Sequence, residues 1–275
     1  MKQNKPQISI LGCGWLGFPL AKKLLSEGYS VKGSTTSEEK ITTLLANGIA
    51  PYQIALTEDG IQGPIADFLE HSEILIIDIP PGLRKATLSV SGKTFVAKIE
   101  NLLPYIAQSS IKKVLFVSST SVYADENRLV TEDTFPNPDT ESGRQLAEVE
   151  LLLRNNPNFE TTIVRFGGLI GEDRHPIKML AGRENLDNPD APVNLIHQKD
   201  CIGIMLRIIE NEVWNETFNA VTPDHPTRKD YYHKKAQEMN LAIPKFASDK
   251  PSSEKCISSA KIEKVLDYTF IINPL

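Results

Sequence analysis

Three glycines near the amino end have a spacing that suits a phosphate group. Gly12, Gly14 and Gly17 follow one another in the order G-x-G-x-x-G. In such a segment the first glycine permits a tight turn, and the second has no side chain to keep a diphosphate off the backbone. The third lets a helix pack close to a strand, so that the N–H groups at the helix start face the phosphates. The alternative is a glycine-rich turn that binds no ligand.

The segments on either side of the glycines favour the first interpretation. Residues 8–11 predict a buried strand, leucines at helical spacing follow over residues 16–25, and residues 29–33 begin a second strand. A strand, a glycine turn, a helix and a strand form the context in which this motif indicates a bound dinucleotide. The predicted cofactor contacts in the loop are Gly12, Gly14, Trp15, Leu16 and Gly17.

A later apolar run predicts a central strand of the same sheet. Residues 74–79 are nearly all apolar, which is typical of a parallel strand that is buried on both faces. The run ends at Pro80-Pro81. Because ligands of open α/β sheets lie beyond the carboxyl ends of the strands, we expect Ile79, Pro80 and Pro81 to contact the cofactor.

The end of the second strand bears on the choice between NAD and NADP. An acidic residue about 20 positions after the glycines would bind the ribose 2′-hydroxyl of NAD and repel a 2′-phosphate. This chain has four hydroxyl residues there, Ser34, Thr35, Thr36 and Ser37. We expect Ser37 to cap the next helix, with Lys40 one turn later. The hydroxyls favour NADP. Glu38 and Glu39 oppose a phosphate at this place, so NAD stays the alternative, and hydroxyls that only cap a turn fit either cofactor.

A run of hydroxyl residues follows the next predicted strand, residues 114–117. The run is Ser118-Ser119-Thr120-Ser121-Val122-Tyr123. Hydroxyls at the carboxyl end of a strand, beside a bound nicotinamide, could hold a carbonyl oxygen and transfer a proton. They could also satisfy their own backbone in a Ser/Thr turn. The spacing alone leaves both interpretations open.

The composition argues against several classes of partner. The chain has 275 residues, with 30 Lys and Arg against 35 Asp and Glu, and a formal net charge of −5. This charge, without a run of basic residues, argues against a nucleic-acid partner. No apolar stretch approaches the ~18–20 residues of a membrane span, and residues 1–7 are too polar for a good secretion signal. We therefore expect a cytoplasmic protein with no nucleic-acid or membrane partner.

The cysteines and histidines predict no metal site. Cys13, Cys201 and Cys256 are far apart and odd in number, which suits neither a disulfide framework nor a C-x-x-C site. His197 has no second metal ligand at a useful spacing, so we predict no metal there. We interpret Asp200 as the N-cap of the helix that follows it rather than as a catalytic acid.

The regular alternation of strands and helices ends near residue 170. We place a dinucleotide-binding core in residues 1–170 and a smaller substrate-side region in residues 171–275. No linker separates the two, so we expect an approximate, discontinuous boundary and a second region that packs back on the core. Residues 175–192 predict a loop, and residues 268–271 predict a strand. The sequence carries no signal for the oligomeric state.

Taken together, these segments resemble the extended short-chain dehydrogenase/reductase superfamily, which includes sugar-nucleotide epimerases and dehydratases, and more narrowly an atypical bacterial subgroup of it. The resemblance covers nearly the whole chain. It implies an α/β fold with a doubly wound parallel sheet (a Rossmann fold) and a small C-terminal substrate-binding region. It also implies bound NADP or NAD and a small-molecule or nucleotide-linked substrate. The matching segments are residues 12–17, Ile79-Pro80-Pro81, residues 118–123, Arg165 with residues 167–171, residues 194–200, and Phe218-Asn219.

One feature of the superfamily is missing. The resemblance implies a Tyr-x-x-x-Lys pair on the helix after the acidic loop, but Ser142 stands at the tyrosine position and Leu146 at the lysine position. A serine hydroxyl has no phenol-like pKa, and leucine has no charge. The resemblance leaves Ser119 to hydrogen-bond the substrate, and Tyr123 is a nearby phenol that could replace the missing one. Ser119 and Tyr123 are therefore the candidate catalytic residues, and Ser118 is a further candidate cofactor contact.

Two functional hypotheses follow from this combination. The first is an NAD(P)-dependent oxidoreductase or epimerase/dehydratase-like enzyme, in which Ser119 holds the reacting oxygen and Tyr123 or a water carries the proton. The second is a catalytically inactive protein that binds NAD(P) and acts as a sensor or regulator. Both predict that the dinucleotide stabilises the native state, but only the first predicts turnover.

Overall fold

The centre of the molecule is a sheet of seven parallel strands. The computed structural model describes residues 5–82, 94–126, 128–247, 254–273 and 275. The strands of the sheet are β1 (Gln7–Leu11), β2 (Ser30–Thr35), β3 (Ala50–Gln53), β6 (Ile74–Ile77), β7 (Lys113–Ser119), β9 (Glu160–Phe166) and β12 (Thr217–Ala220). Their order across the sheet is β3-β2-β1-β6-β7-β9-β12, and every neighbouring pair is parallel. The order reverses between β1 and β6, which creates a crevice at their carboxyl ends.

Helices cover both faces of this sheet. The first layer contains α1 (Gly17–Ser26), α2 (Glu39–Ala46), α7 (Gln198–Glu210) and α9 (Ala260–Leu266). The second contains α3 (Ile65–Leu69), α4 (Thr94–Ala107) and α5 (Glu141–Arg154). Strand β6 shows why both layers form: Ile74 and Ile76 pack into the first, Leu75 and Ile77 pack into the second, and all four are fully buried. The predicted doubly wound α/β fold is confirmed.

The second half of the chain completes the sheet and also forms a smaller cluster beside it. β12 and α7 belong to the central layers. Beside them, β10 (Gly168–Ile170) pairs in parallel with β11 (Leu195–His197), and α6 (Ile177–Leu180) and α8 (Arg228–Glu238) share a hydrophobic cluster with that pair. The remaining strands form a parallel pair, β8 (Leu129–Val130) with β13 (Cys256–Ile257), and a hairpin, β4 (Ala55–Thr57) with β5 (Gly60–Gln62).

Some local predictions in the second half are wrong. Residues 167–171, for which the glycines predict a loop, contain β10, and the predicted loop over residues 175–192 contains α6. Residues 268–271 form no strand. These elements depend on contacts between distant segments, which hydrophobic periodicity does not report. Among the described residues, no helix combines the length and the apolar character that crossing a membrane requires.

The expected cap role of Asp200 is also wrong. The N-cap of α7 is His197, whose Nδ1 accepts the N–H of Lys199 at 3.1 Å. Asp200 is fully buried in the first turn, and its carboxylate accepts the Tyr268 hydroxyl at 2.9 Å. It also accepts the N–H groups of residues 271–272 at 2.6 and 3.1 Å. Asp200 thus fixes the segment for which the sequence predicts a strand.

Candidate functional site

The glycine loop joins β1 to α1 and is held by the end of β2. Gly12 has a φ of +109°, and a side chain there would collide with the carbonyl oxygen of Asp78. The N–H of Gly12 donates to Ser34 Oγ at 2.9 Å, and the N–H of Cys13 donates to the Ser34 carbonyl at 2.7 Å. Gly17 lies so close to the Gly12 carbonyl that any side chain would strike it. These contacts give the loop one defined shape.

Gly14 and the residues before α1 form an open anion site. Apart from Cys13 and Trp15, its neighbours in the chain, no described residue has an atom within 4 Å of the position that a Cβ on Gly14 would take. Within the described residues, the backbone N–H groups of Trp15 and Leu16 donate no hydrogen bond. A diphosphate binds to backbone N–H groups at a helix N-terminus that have no other acceptor, where no side chain blocks its approach. The loop therefore fits a dinucleotide.

Asp78 places a carboxyl group beside the same helix start. It directly follows β6, and its backbone N–H donates to the Leu11 carbonyl at 2.9 Å. Burial raises the pKa of Asp78 from 3.8 to about 7, and a hydrogen bond from the Gly17 N–H opposes only part of this rise. The sequence analysis missed this residue. The sequence feature that could have identified Asp78 is a single acidic residue at the end of the apolar run ILIID.

The segment after Asp78 borders the crevice. The Cγ2 atom of Ile79 lies 3.1 Å from the position of a Cβ on Gly12, so this side chain packs against the loop. Pro80 is exposed, and Pro81 is half-buried. Their contact with a cofactor stays a prediction.

The four hydroxyls that follow the glycine loop have separate roles. Ser34 is buried and accepts the loop N–H, as described above. Thr35 is also buried, and its Oγ1 accepts the N–H of Ser37 at 3.1 Å. The N-cap of α2 is Glu38, with no side-chain hydrogen bond, so the expected capping by Ser37 is wrong. Thr36 is exposed and Ser37 is half-buried, and both directly follow the end of β2.

A buried ion pair connects α5 to the carboxyl ends of β7 and β9. Arg165 donates to Glu150 through Nε at 3.1 Å and through Nη2 at 2.5 Å. Ser118 Oγ donates to Glu150 Oε1 at 2.6 Å. Burial alone would lower the pKa of Arg165, but the Glu150 carboxylate holds it above its usual value. Ser118, a predicted cofactor contact, thus points into the protein and hydrogen-bonds this pair.

Tyr123 belongs to the same buried network. Its hydroxyl accepts Arg165 Nη1 at 2.5 Å and donates to Asn219 Oδ1 at 2.8 Å. The side chain is 3% exposed, and burial raises the pKa of Tyr123 although Arg165 opposes the rise. The sequence analysis did not identify Glu150, which lies one turn after Leu146 on the apolar face of α5. The sequence feature that could have identified Glu150 is a single acidic residue on the apolar face of a helix.

Ser119 has a different environment from Ser118 because successive side chains of a strand point to opposite faces. Ser119 is half-buried at the end of β7, and its Oγ accepts the N–H of Ser121 at 3.1 Å. Accepting that bond leaves the Ser119 O–H proton able to donate to a substrate oxygen. Of the two predicted catalytic residues, Ser119 has the more accessible hydroxyl.

Residues of the second half cover the glycine loop. The Trp15 indole N–H donates to Asp173 Oδ1 at 2.9 Å, and the Arg174 guanidinium lies 4.9 Å from the centre of the indole ring. Gln198 Nε2 donates to the Trp15 carbonyl at 2.7 Å. Gly171 leaves room for the indole, because a Cβ there would lie 2.8 Å from it. Long-range contacts place these residues, so the sequence motif alone could not identify them.

The described residues contain no group of three or more His, Cys, Asp or Glu side chains that could hold a metal ion.

Comparisons with known proteins find a matching dinucleotide-binding family model and a relative that aligns over nearly the whole chain. The family model for the NAD binding domain of 6-phosphogluconate dehydrogenase matches residues 7–132. The chain is 32% identical to Protein YeeZ of Escherichia coli (strain K12) over 267 residues, which cover 96% of this chain and 95% of that protein.

Solved structures with low sequence identity have the same architecture. UDP-glucuronic acid 4-epimerase from Bacillus cereus, in complex with UDP-glucuronic acid and NAD, has a TM-score of 0.81 and 17% identity over 97% of this chain and 95% of that one. UDP-N-acetylglucosamine 4-epimerase from Bacillus cereus has a TM-score of 0.74 and 16% identity over 97% and 94%. At this identity the similarity establishes the fold.

Proposed function

The chain belongs to the family of Escherichia coli Protein YeeZ, and we propose that it is an NAD(P)-dependent oxidoreductase or epimerase-like enzyme of the atypical short-chain dehydrogenase type. The open backbone at Gly14, beside the undonated N–H groups of Trp15 and Leu16, carries this proposal. A diphosphate there would accept both N–H groups and would meet no side chain. A bound nicotinamide supplies hydride transfer, and the protein orients the substrate.

For the cofactor, we propose NADP in preference to NAD. The hydroxyls of Thr36 and Ser37 lie at the end of β2, where an NAD-specific site has an acid. Lys40, in the first turn of α2, adds a positive charge that opposes part of the rise in the pKa of the Cys13 thiol in the glycine loop, a rise caused mainly by burial. Both features suit a 2′-phosphate. Glu38 and Glu39 oppose it, so we expect a moderate preference.

For the chemistry, we propose that Ser119 donates a hydrogen bond to the reacting oxygen of the substrate. A positioned donor of this kind stabilises the charge that develops on that oxygen. The contacts of Tyr123 with Arg165 and Asn219 favour a positioning role for its hydroxyl, with water as the proton carrier.

For the substrate, we propose a small polar or nucleotide-linked molecule with an alcohol or carbonyl group. The similar structure in complex with UDP-glucuronic acid and NAD supports a nucleotide-linked one. We place its site in the crevice between the end of β7 and the smaller second region, residues 171–275.

A binding protein without catalysis is the second candidate, and the composition of α5 favours it. The helix, ESGRQLAEVELLLR, contains neither tyrosine nor lysine. Leu146, at the position where the resemblance places lysine, is 3% exposed and packs in the hydrophobic core. We propose that the usual Tyr-x-x-x-Lys pair is absent, so any catalysis depends on Ser119 and on orientation.

Substitution of Gly14 tests the dinucleotide site without disturbing the empty protein. Gly14 has ordinary backbone angles and open space around its Cβ position, so Gly14→Val should fold with an unchanged melting temperature. The valine methyl groups would occupy the place of the diphosphate. We expect NADP⁺ and NAD⁺ to raise the melting temperature of the native protein but not that of Gly14→Val. Gly14→Ala should show an intermediate effect. Native protein that neither nucleotide stabilises would contradict the proposal.

Substitution of Ser119 separates the enzyme from the binding protein. We expect Ser119→Ala to bind NADP⁺ normally and to lose on the order of 100-fold in kcat with a panel of carbonyl substrates and NADPH. Ser121→Ala, in the same turn, is the matched control and should retain activity. Stabilisation by nucleotide with no oxidation of NADPH on any substrate would favour the binding protein.

A further inference from the structure

A small cavity in the second region is lined by hydrogen-bond donors. It has a volume of about 120 Å³ and lies between the ends of β10 and β11 and the helix α8. Its polar side chains are His175, His197, Tyr231 and Lys235, and none of its lining side chains is a carboxylate. The apolar part of the wall consists of Ile170, Ile272 and Leu275. A cavity of this composition suits a ligand that accepts hydrogen bonds.

The hydrogen bonds of His175 determine where the Tyr231 proton can go. The Nδ1 of His175 accepts the N–H of Ile177 at 3.1 Å, so in the neutral ring the proton is on Nε2. Burial and the charge of Lys235 lower the pKa of His175 to about 4, so the ring is neutral at physiological pH. Its Nε2–H then donates to the Tyr231 hydroxyl at 2.8 Å. The Tyr231 O–H has no acceptor among the described residues, although the side chain is 1% exposed.

His197 supplies a second donor by the same reasoning. Its Nδ1 accepts the N–H of Lys199, so in the neutral ring the proton is on Nε2. Burial and the charge of Lys199 lower the pKa of His197, which favours this neutral form. Within the described part of the chain, the Nε2–H of His197 donates to no side chain or carbonyl.

Lys235 supplies the positive charge. Its side chain is 23% exposed, and its Nζ lies 2.9 Å from Glu238 Oε2 and 5.8 Å from the centre of the Tyr231 ring. One ion pair uses one of the three ammonium N–H groups, so others can face the cavity. The neighbouring Lys234 contacts the Leu275 carbonyl at 3.3 Å and does not line the cavity.

We propose that this cavity binds a small oxyanion, such as a phosphate or carboxylate group, through the Tyr231 hydroxyl, His197 Nε2 and Lys235 Nζ. Charge-assisted hydrogen bonds from several directions are a common basis for oxyanion recognition. The site lies in the second region of the chain. Gly171 forms part of the cavity wall and also lies against the Trp15 indole. The site does not depend on dinucleotide binding, so it can exist whether or not the proposed function holds.

Two pairs of neighbouring residues provide matched variants. Tyr231→Phe and Lys235→Gln each remove one proposed contact, while Tyr232→Phe and Lys234→Gln make the same chemical change at the adjacent position outside the cavity. We expect inorganic phosphate, titrated calorimetrically, to bind the native protein. We expect roughly tenfold weaker binding for Tyr231→Phe and for Lys235→Gln, and no change for the two controls. Phosphate should also shift the C2–H NMR signal of His197.

Several results would overturn the proposal. One is that phosphate produces no heat of binding and no shift of the His197 signal. Another is that the control variants bind phosphate as weakly as Tyr231→Phe and Lys235→Gln do. If Tyr231→Phe unfolds, Lys235→Gln and the His197 signal still decide the question.

The titration is repeated with saturating NADP⁺ to distinguish the cavity from the glycine loop as the site of phosphate binding. Unchanged phosphate affinity supports the cavity, whereas competition would place the phosphate at the glycine loop. Acetate in place of phosphate tests whether a carboxylate is accepted as well.

Discussion

The Asp78→Asn substitution should stabilise the protein by an amount that grows with pH. Burial raises the pKa of Asp78 from 3.8 to about 7 in the folded chain. Between these values the unfolded chain loses the proton while the folded chain keeps it, so folding becomes less favourable as the pH rises. Above pH 7 both states are ionised and the loss is complete. Asparagine does not titrate, and its Oδ1 can still accept the Gly17 N–H.

The size of the effect follows from the two pKa values. One pH unit in this range corresponds to about 1.36 kcal/mol. Asparagine should therefore stabilise the protein by roughly 1–2 kcal/mol at pH 5 and by roughly 4 kcal/mol at pH 8. Both figures are upper values because Asp78 keeps some contact with solvent. The difference between the gains at the two pH values, about 2–3 kcal/mol, does not depend on any pH-independent cost of replacing the carboxyl group with an amide.

Urea unfolding, followed by circular dichroism from pH 5 to pH 8 without nucleotide, measures this difference. Asp59→Asn is the control, since Asp59 is exposed in the turn between β4 and β5. The thiols of Cys13 and Cys201 also feel the charge of Asp78, but burial raises the pKa of both, so they stay neutral in this range. An equal gain from Asp78→Asn at pH 5 and pH 8 would refute the reasoning.

The same carboxyl group should link dinucleotide binding to pH. A diphosphate on the glycine loop would bring negative charge close to Asp78 and would favour its protonated form. Affinity of the native protein for NADP⁺ should therefore fall as the pH rises above about 7. Asp78→Asn should bind with an affinity that does not change over this range. A parallel fall in both proteins would assign the pH dependence to another group.

Three further substitutions test the buried polar contacts. Glu150→Gln should destabilise the protein by roughly 3–5 kcal/mol in urea unfolding, because it leaves the Arg165 charge buried without its partner, and the exposed Glu141→Gln should change stability far less. Tyr123→Phe should cost about 1–3 kcal/mol and leave the pH profile of kcat unchanged, whereas a lost limb in that profile would make Tyr123 a proton carrier. Asp200→Asn should lower the melting temperature and expose residues 268–272 to hydrogen exchange, and unchanged protection there would contradict the assigned contacts.

The glycine loop could be predicted because its determinants are local. Gly12, Gly14 and Gly17 lie within six residues, and the strand and helix beside them have clear periodicity. The steric reasons became visible only in the fold. A side chain on Gly12 would strike Asp78, which is 66 positions later in the chain. The motif therefore predicted the loop but not the contact of Asp78 with it.

The polar network around Tyr123 shows the limit of local reasoning. The hydroxyl contacts Arg165, 42 positions away, and Asn219, 96 positions away. Spacing in the sequence cannot show that β9, β12 and the turn after β7 bring these three groups together. The same limit explains the error at Asp200, where the preference of aspartate for N-caps was outweighed by hydrogen bonds to a segment about 70 positions later.

The end of β7 connects this network to the proposed chemistry. Strand alternation turns Ser118 inward to Glu150 and turns Ser119 to the opposite face, so one hydroxyl is fixed in the core while the next can donate outward. The ion pair of Glu150 and Arg165 thus holds the strand end that carries Ser119. Loss of Ser118 should therefore reduce stability, and loss of Ser119 should reduce turnover. If Ser118→Ala and Ser119→Ala gave the same pattern of effects, the division of roles between the two faces of β7 would be wrong.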